Sequence, residues 1–274
     1  MSRLLIVFLT LFLKAEPGNA FSPTLPAPQQ ATVPAGSPQL RGEWVARHAT
    51  DRDAGRDGRL TFRMRLFDRQ DRARERTLSV ISKKAQPGTK TGDKSLTRFT
   101  YPADINGTAF LVWEHPGADD ERFLFLPSLA RVRRIAGSEA QESFVGSDFT
   151  YEDIGGREFD DYTYTLLDDT DNGNAYTLES RARNPNARFP RIVSTVRKDN
   201  FVVTHAEIFN KRNEVQKIFD APRVEKIGKY WTVMLMSMKD LTQKTRTELI
   251  VEKAEYDIGL TDDAFSRREL EKVR

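Results

Sequence analysis

The chain has no cysteine among its 274 residues. This absence excludes disulfide bonds, thiolate catalysis, metal sites with cysteine ligands and a lipid-modified N-terminal cysteine. An exported protein of this composition therefore depends on packing for its stability.

A charge excess of either sign is also missing. The 43 Lys and Arg residues nearly balance the 40 Asp and Glu residues, which leaves a net charge of +3. Without a segregated basic surface, we predict that nucleic acid is not a partner. With 38% hydrophobic residues, 30% charged residues and a mean hydropathy of −0.58, the chain is predicted to be globular with a charged surface. Its 17 Phe and 7 Tyr residues favour β-strands.

Residues typical of catalytic centres are scarce. The three histidines, His48, His115 and His205, are far apart and share no pattern of acidic neighbours, and we expect His48 to be a half-buried packing residue. No nucleophile elbow, zinc-protease or dinucleotide motif occurs. Residues 88–95 (GTKTGDKS) resemble a phosphate-binding loop, but the lysine is displaced by one position and no strand-to-helix context surrounds it. The sequence therefore predicts no enzyme, metal or cofactor, and a hydrolase has only scattered histidines and acids in its favour.

The N-terminal residues 1–20 have the pattern of a secretory signal peptide. Arg3 supplies the basic region, residues 4–13 are almost entirely apolar, and small residues precede a cleavage site after Ala20. Ten apolar residues are too few for a membrane span, which needs about 20. We therefore predict an exported protein, with a proline-rich flexible lead-in at residues 21–38 and one domain at residues 39–274.

The hydrophobic pattern changes from helical to strand-like at residue 59. Leu60, Phe62, Met64 and Leu66 alternate with polar residues, which predicts a strand with one apolar face. Further strands are predicted at residues 72–85, 95–102, 108–115, 122–126, 131–135, 161–167, 176–183, 191–197, 201–209, 214–219, 223–227, 231–238 and 244–253. Asn106-Gly107 predicts a hairpin. Helices are predicted only at residues 40–50, near Thr150 and after Thr261, which indicates a large curved antiparallel sheet or barrel with helices against one face.

Two predicted strands are apolar on both faces, at residues 109–113 and 123–126. A central strand covered on both sides explains this pattern. A sheet that encloses an apolar cavity on its concave side explains it equally well, and predicts a ligand of lipid size.

Residues 121–153 form a structural element that we call the clasp. Thr150 and Asp153 have the spacing of a capping box for a short helix, Gly146 permits a tight turn, and Gly155-Gly156 ends the helix. Aromatic anchors on the sheet and ion pairs from the nearby arginines to the acids are expected to hold the clasp. Its predicted residues are Arg131, Arg133, Arg134, Phe144, Gly146, Asp148, Phe149, Tyr151, Glu152 and Asp153.

Three segments of the sequence, two of them in the clasp region, carry a family resemblance. FLFLPSLARVRRI at residues 123–135, SFVGSDFTYEDI at residues 143–154 and the closing TDDAFSRREL at residues 261–270 resemble the outer-membrane lipoprotein-sorting (LolA-like) family of the periplasm, whose members often accompany RND-type lipid exporters. The resemblance covers roughly residues 40–272 and is weakest in the C-terminal half. It implies an incomplete antiparallel β-barrel with helices as a lid over a hydrophobic cavity that holds acyl chains.

Two functions follow from this resemblance. One is a carrier of lipid or lipoprotein acyl chains toward the outer membrane, and the alternative is a non-enzymatic docking subunit of an inner-membrane RND-type exporter. For the carrier, we predict that the cavity is lined by Phe62, Met64, Leu66, Phe99, Phe110, Val112, Phe123 and Phe125. The choice between the two faces of each strand is not determined by the sequence.

Overall fold

The computed structural model describes residues 33–85, 91–168 and 173–272. The predicted signal peptide, residues 21–32 of the lead-in and residues 88–90 at the start of the phosphate-loop-like segment lie outside these ranges. The described strands are β1 (Asp57–Phe67), β2 (Ala73–Lys83), β3 (Lys94–Tyr101), β4 (Ala109–Trp113), β5 (Glu121–Leu126), β6 (Arg131–Arg134), β7 (Tyr162–Asp168), β8 (Ala175–Ala182), β9 (Arg191–Arg197), β10 (Val203–Phe209), β11 (Val215–Ile227), β12 (Tyr230–Asp240) and β13 (Thr245–Tyr256). The helices are α1 (Pro38–Thr50), α2 (Tyr151–Gly155) and α3 (Arg267–Leu270).

The described strands form one open antiparallel sheet in the order β6-β5-β4-β3-β2-β1-β13-β12-β11-β10-β9-β8-β7. Nearly every strand pairs with its neighbour in sequence, but β1 pairs with both β2 and β13. The pairing of β1 with β13 joins the two halves of the chain at the middle of the sheet. The predicted mainly β, curved half-barrel fold is therefore confirmed.

The connection from β6 to β7 determines where the interior lies. These two strands are consecutive in sequence but occupy opposite edges of the sheet, so residues 135–161 must cross one of its faces. We call this connection the crossover segment and the face that it covers the inner face. The crossover segment contains α2 and most of the predicted clasp.

Both faces of the sheet carry buried apolar residues. The larger cluster, on the inner face, includes Phe62, Phe110 and Val112. A smaller cluster on the outer face combines Leu111 and neighbouring strand residues with Phe265 and Leu270 of the C-terminal tail. The doubly apolar pattern of β4 and β5 therefore results from cover on both faces, by the C-terminal tail on the outer face and by the crossover segment on the inner face. No residue of β4 or β5 belongs to the lining of the cavity described below.

The C-terminal tail is held on the outer face by two side chains of the sheet. The buried Arg98 donates hydrogen bonds to the carbonyl oxygens of Glu269 and Lys272, which lie at the end of α3. Trp113 Nε1 donates to the carbonyl oxygen of Phe265 at 2.7 Å. A cation near helix carbonyls opposes their negative partial charge, so Arg98 stabilises the end of α3.

Ser37 is the N-cap of helix α1, which begins at Pro38 and packs on β7 and β8. Val45 is fully buried, whereas Leu40 is 60% exposed. Gly42 makes the close approach to β7: a Cβ atom there would lie 2.7 Å from backbone atoms of Thr165 and Leu166. The absence of a side chain at position 42 therefore sets the distance between helix and sheet.

We predict that Gly42→Ala lowers the free energy of unfolding by about 1–3 kcal/mol through overpacking. Helix propensity alone would give the opposite sign, a gain of up to about 1 kcal/mol. Urea unfolding of the variant beside Glu43→Ala, an exposed position on the same helix, measures the difference. A Gly42→Ala protein more stable than wild type would contradict the close packing of α1 on β7.

One predicted break in the sheet is wrong. The segments 214–219 and 223–227 form a single strand, β11, with register shifts between Asp220 and Val224. Pro222 lacks the N–H that a ladder needs, and the strand accommodates it with a bulge instead of ending. Within the described ranges, no helix combines the length and the hydropathy that crossing a membrane requires.

Candidate binding cavity

An apolar cavity lies on the inner face between the sheet and the crossover segment. It comprises about 880 Å³ of empty space, part of it open to solvent. Its walls are apolar apart from Ser82, Asp153 and Arg157. Its lining is Leu60, Phe62, Leu78, Val80, Ser82, Phe149, Asp153, Ile154, Arg157, Ile192, Val203, Ala206, Ile208, Phe219, Met236, Met238 and Leu249.

Strands from both halves of the chain contribute to this lining. Phe62 comes from β1, whereas Ile208, Phe219 and Met236 come from β10, β11 and β12. The pairing of β1 with β13 brings these side chains onto one surface. Of the described helices, α2 contributes to the lining, through Asp153 and Ile154, while α1 packs on β7 and α3 lies on the outer face.

The crossover segment forms α2 because of its local sequence. Thr150 is the N-cap: its hydroxyl accepts a hydrogen bond from Asp153 N, and Asp153 Oδ2 accepts one from Thr150 N. This is the predicted capping box, and Gly156, with a φ of 105°, follows the last helical residue. The short helix therefore has satisfied backbone groups at its buried start.

Aromatic side chains attach the crossover segment to the sheet. Phe144 is fully buried, with its ring centroid 5.8 Å from that of Phe99 and 5.6 Å from that of Phe110. Tyr151 lies 5.3 Å from Phe110. Arg76 of β2 also donates a hydrogen bond to the carbonyl oxygen of Val145 at 2.6 Å.

The other side of the crossover segment is attached by hydrogen bonds at Asp148. Its carboxylate accepts hydrogen bonds from the hydroxyls of Thr245 and Thr247 on β13. Lys217 of β11 donates to its carbonyl oxygen at 2.5 Å. The crossover segment therefore contacts both halves of the sheet, and its position defines the width of the cavity.

A buried ion pair lies at the polar end of the cavity. The Arg157 and Asp153 side chains are 1% and 4% exposed, and Arg157 Nη2 donates to Asp153 Oδ1 at 2.5 Å. Arg157 Nε lies 3.6 Å from Glu152 Oε1. The two carboxylates and the guanidinium thus form a compact charged group beside apolar side chains.

The pKa values of this group follow from burial and pairing. Burial alone would raise the pKa of Asp153, but Arg157 and Lys217 outweigh it and hold that pKa below its usual value. For Glu152, burial is the larger effect and raises its pKa despite Arg157. The pKa of Arg157 is raised because its two carboxylate neighbours outweigh burial. Asp153 is therefore the firmly ionised partner of Arg157.

The expected ion pairs from the β6 arginines to Asp148, Glu152 or Asp153 are wrong. Arg133 pairs with Glu139 and Arg134 lies 3.9 Å from Glu121, while Arg131 is exposed. Asp148 is instead held by Thr245 and Thr247, as described above. Strand β6 is an edge strand, and its arginines find acids that are local in sequence.

The predicted lining residues are distributed over both faces. Phe62 lines the cavity. Met64, Leu66, Phe99, Phe110 and Val112 belong to the buried cluster of the inner face, and Phe123 and Phe125 belong to that of the outer face. Pairing explains the difference, because Phe125 lies opposite Ala109 and Phe123 opposite Leu111, and directly paired residues point to the same face.

Neither the lining residues of the C-terminal strands nor Arg157 were predicted from the sequence. Ala206 and Ile208 alternate along β10, as Met236 and Met238 do along β12, but alternation does not reveal which face is covered. Arg157 could have been found from its spacing, since it lies four residues after Asp153. The three histidines each have their own partners: His48 with Trp44 O, His115 with Glu121, and His205 with Asp220.

His48 is half-buried, as predicted, and its ring packs at a tilt against the rings of Trp44 and Phe201. Within the described ranges, no group of three or more His, Cys, Asp or Glu side chains is arranged to hold a metal ion.

Comparison with known proteins identifies the family of this chain. A family model described as an uncharacterized protein matches residues 91–272. A crystal structure of a DUF1329 family protein from Desulfovibrio piger is 30% identical, with 86% of this chain and 100% of that chain covered and a TM-score of 0.78. No curated protein matches the chain.

Two further crystal structures are similar. A putative outer membrane lipoprotein-sorting protein domain from Vibrio parahaemolyticus is 28% identical, covers 85% of this chain and 99% of its own, and has a TM-score of 0.77. A LolA superfamily protein from Nitrosomonas europaea shares the fold at 17% identity, with 83% and 98% covered and a TM-score of 0.65. The chain therefore belongs to the DUF1329 family, and it shares the fold of the LolA-like proteins that its sequence resembles.

Proposed function

We propose that the protein is a periplasmic carrier that binds an acyl chain of a lipid or lipoprotein in the apolar cavity and transfers it toward the outer membrane. The observation that carries the proposal is the cavity that apolar side chains of β1, β2 and β9–β13 line. Binding and release involve no bond chemistry. The similarity to a putative lipoprotein-sorting domain supports the same class of function.

The apolar lining of the cavity favours an acyl chain. A polymethylene chain is flexible and carries no polar group, so it can follow the space between the sheet and the crossover segment without leaving a hydrogen-bonding group unpaired. Each buried methylene contributes about 0.8 kcal/mol, so a fatty acyl chain gains enough free energy for binding without specific polar contacts. Met236 and Met238 add adaptable side chains to the wall.

The alternative, a docking subunit without cargo, is less well supported. An occluded interior would favour it, whereas the described interior contains the cavity. An inner-membrane RND-type exporter is the partner that the sequence resemblance implies for the transfer. Co-purification of the two proteins from membranes tests this partner separately.

The carrier proposal predicts that the mature protein, purified from cells under mild conditions, retains lipid. Organic extraction followed by mass spectrometry is expected to recover acyl chains in near-stoichiometric amounts. After delipidation, the protein should take up a fluorescent fatty acid with saturation at one site. The proposal fails if no lipid is extracted and the delipidated protein does not bind the fluorescent fatty acid.

A further inference from the structure

A pocket lined by lysines lies at the end of the sheet where β2 ends and β3 begins. Lys83, Lys84 and Lys94 line it, together with Thr261 and Asp262 of the C-terminal tail. It comprises about 740 Å³ of empty space, part of it open to solvent. Of the described residues in its lining, three carry a positive charge and one carries a negative charge. This lysine pocket therefore favours an anion.

Two of the lysines already bind one carboxylate. Lys83 Nζ donates to Asp262 Oδ1 at 2.5 Å, and Lys94 Nζ donates to Asp262 Oδ2 at 2.8 Å. Lys83 and Lys94 are directly paired across β2 and β3, so both ammonium groups are on the same face of the sheet. Their hydrogen bonds lower the pKa of Asp262 to about 2. The two ammonium groups are thus spaced to bind two oxygen atoms of one anionic group.

The carboxylate of Asp262 is in a position to be exchanged for another anion. Its side chain is 62% exposed, whereas those of Lys83 and Lys94 are 20% and 21% exposed. An ion pair with an exposed partner contributes little to stability, and Arg98 and Trp113 hold the tail by separate hydrogen bonds to its backbone. A phosphate group carries more negative charge than a carboxylate and has more oxygen atoms, so it competes well for two lysines.

The lysine pocket is connected to the apolar cavity. A gap at the ends of β1–β4 shares all three lysines with the lysine pocket and shares Ser82 with the apolar cavity. Asp57, Asp93 and Glu114 also line this gap, so an anion is disfavoured in the gap and favoured at the lysines beyond it. A chain in the apolar cavity and an anionic head at the lysines can therefore belong to one molecule, with a polar linker in the gap.

We propose that the lysine pocket binds a phosphate group, and that this group is the head of the acyl lipid whose chain occupies the apolar cavity. Lys83 and Lys94 donate to the phosphate oxygens, and the carboxylate of Asp262 is displaced. This assignment rests on the proposed carrier function and adds the head-group class of the cargo. Inorganic phosphate shares the chemistry, and the experiments below separate it from the lipid.

Two ligands that differ only in the phosphate group measure its contribution. Myristoyl lysophosphatidic acid has the phosphate, and monomyristoylglycerol has the same chain and glycerol without it. Displacement of the neutral dye N-phenyl-1-naphthylamine from the delipidated protein, below the critical micelle concentrations, measures both affinities. At low salt we expect the lysophosphatidic acid to bind at least about tenfold more tightly, because only the phosphate makes charge-assisted hydrogen bonds. The preference should shrink in about 0.5 M NaCl, which screens the charges.

Two variants break the same ion pairs and have opposite expected effects. The double variant Lys83→Gln/Lys94→Gln removes both ammonium groups, so the preference for the lysophosphatidic acid should fall to within about twofold. Asp262→Asn removes the competing carboxylate and keeps the lysines, so the preference should rise by about threefold or more. If the lysines served only to hold the tail through Asp262, both variants would leave the preference unchanged, and this result would overturn the assignment.

Lys253→Gln is the matched control. Lys253 also pairs with an acid, Glu255, but its side chain is 65% exposed and belongs neither to the two cavities nor to the gap. Its preference for the lysophosphatidic acid should equal that of the wild type. A loss of preference in Lys253→Gln as large as in the double variant would show that general surface charge, not the lysine pocket, attracts the phosphate.

Titration calorimetry with inorganic phosphate identifies the source of the anion. Phosphate that binds to the wild type and not to the double variant, without any preference between the two lipids, would show a site for the free ion and overturn the head-group assignment. No preference and no phosphate binding would overturn the site itself. In both cases, displacement of the dye by monomyristoylglycerol leaves the carrier proposal standing. If neither lipid displaces the dye, the carrier proposal fails, and the head-group assignment fails with it.

Discussion

Replacing Asp153 with alanine is expected to lower the free energy of unfolding by about 3–5 kcal/mol, because it leaves the buried Arg157 without its closest counter-charge. The Arg157 side chain is 1% exposed and cannot reach water to replace the lost hydrogen bond. The substitution also removes the carboxylate that accepts from Thr150 N in the capping box. Both losses occur at the start of the helix that covers the cavity.

Urea unfolding followed by circular dichroism measures this effect. Glu142→Ala is the matched control, because Glu142 also pairs with an arginine but its side chain is 62% exposed. An exposed pair of this kind contributes less than about 1 kcal/mol. Similar losses in the two variants would contradict a buried ion pair at Asp153.

The pH dependence of the same comparison has a definite sign. The pKa of Asp153 is lower in the folded protein than in the unfolded chain. Its ionised form therefore adds to the free energy of unfolding above the pKa of the unfolded chain, and this contribution is lost as the pH falls through the folded pKa. The stability difference between wild type and Asp153→Ala should therefore narrow below about pH 4. A difference that widens on acidification would be inconsistent with the lowered pKa.

Ala206→Phe is expected to abolish acyl-chain binding without unfolding the protein. Ala206 lies on β10 in the wall of the apolar cavity, and a benzyl group there would occupy the space of several methylene groups. Each displaced methylene removes about 0.8 kcal/mol, so affinity for a fluorescent fatty acid should fall by at least about tenfold. Because the added ring fills empty apolar space, the thermal midpoint should stay the same or rise.

Val132→Phe is the matched control for this experiment. Val132 is half-buried and packs against the outer-face cluster, so the same aromatic ring is added away from the cavity. Its affinity for the fatty acid should equal that of the wild type. If Ala206→Phe binds as tightly as Val132→Phe, the apolar cavity does not hold the chain.

Most of the strands and their approximate boundaries could be predicted from the sequence. The alternation of Leu60, Phe62, Met64 and Leu66 is local information, and so is the turn signal of Asn106-Gly107, which lies between the paired strands β3 and β4. The capping box at Thr150 is equally local. Signals of this kind depend on a few neighbouring residues, which is why they are visible before folding is considered.

The composition of the cavity could not be predicted, because it depends on pairings between distant parts of the chain. The register of β1 against β13 joins residues nearly 200 positions apart, for example Phe62 and Val251. No local pattern indicates that the crossover segment covers the inner face, so the choice between Phe110 and Leu111, or between Phe123 and Leu124, has no basis in the sequence. A shift of one residue exchanges the faces of a strand.

The hydrogen-bond partners of Asp148 are equally distant in sequence. Asp148 is held by hydroxyl groups from β13 and by Lys217 of β11, although three arginines are closer in sequence. The crossover segment carries its acids away from β6 and toward the C-terminal strands. Tertiary position, not sequence distance, thus decides which charges meet.

The central claim, that an acyl chain occupies the inner-face cavity, is tested most directly by photo-crosslinking. The delipidated protein is incubated with a fatty acid that carries a diazirine along its chain, irradiated, digested and mapped by mass spectrometry. We expect the label on β1 and on β10–β12, at residues such as Phe62, Ile208 and Met236, and we expect excess palmitate to suppress it. Labelling that is confined to the outer-face residues Phe123 and Phe125, or that palmitate does not reduce, would contradict the account.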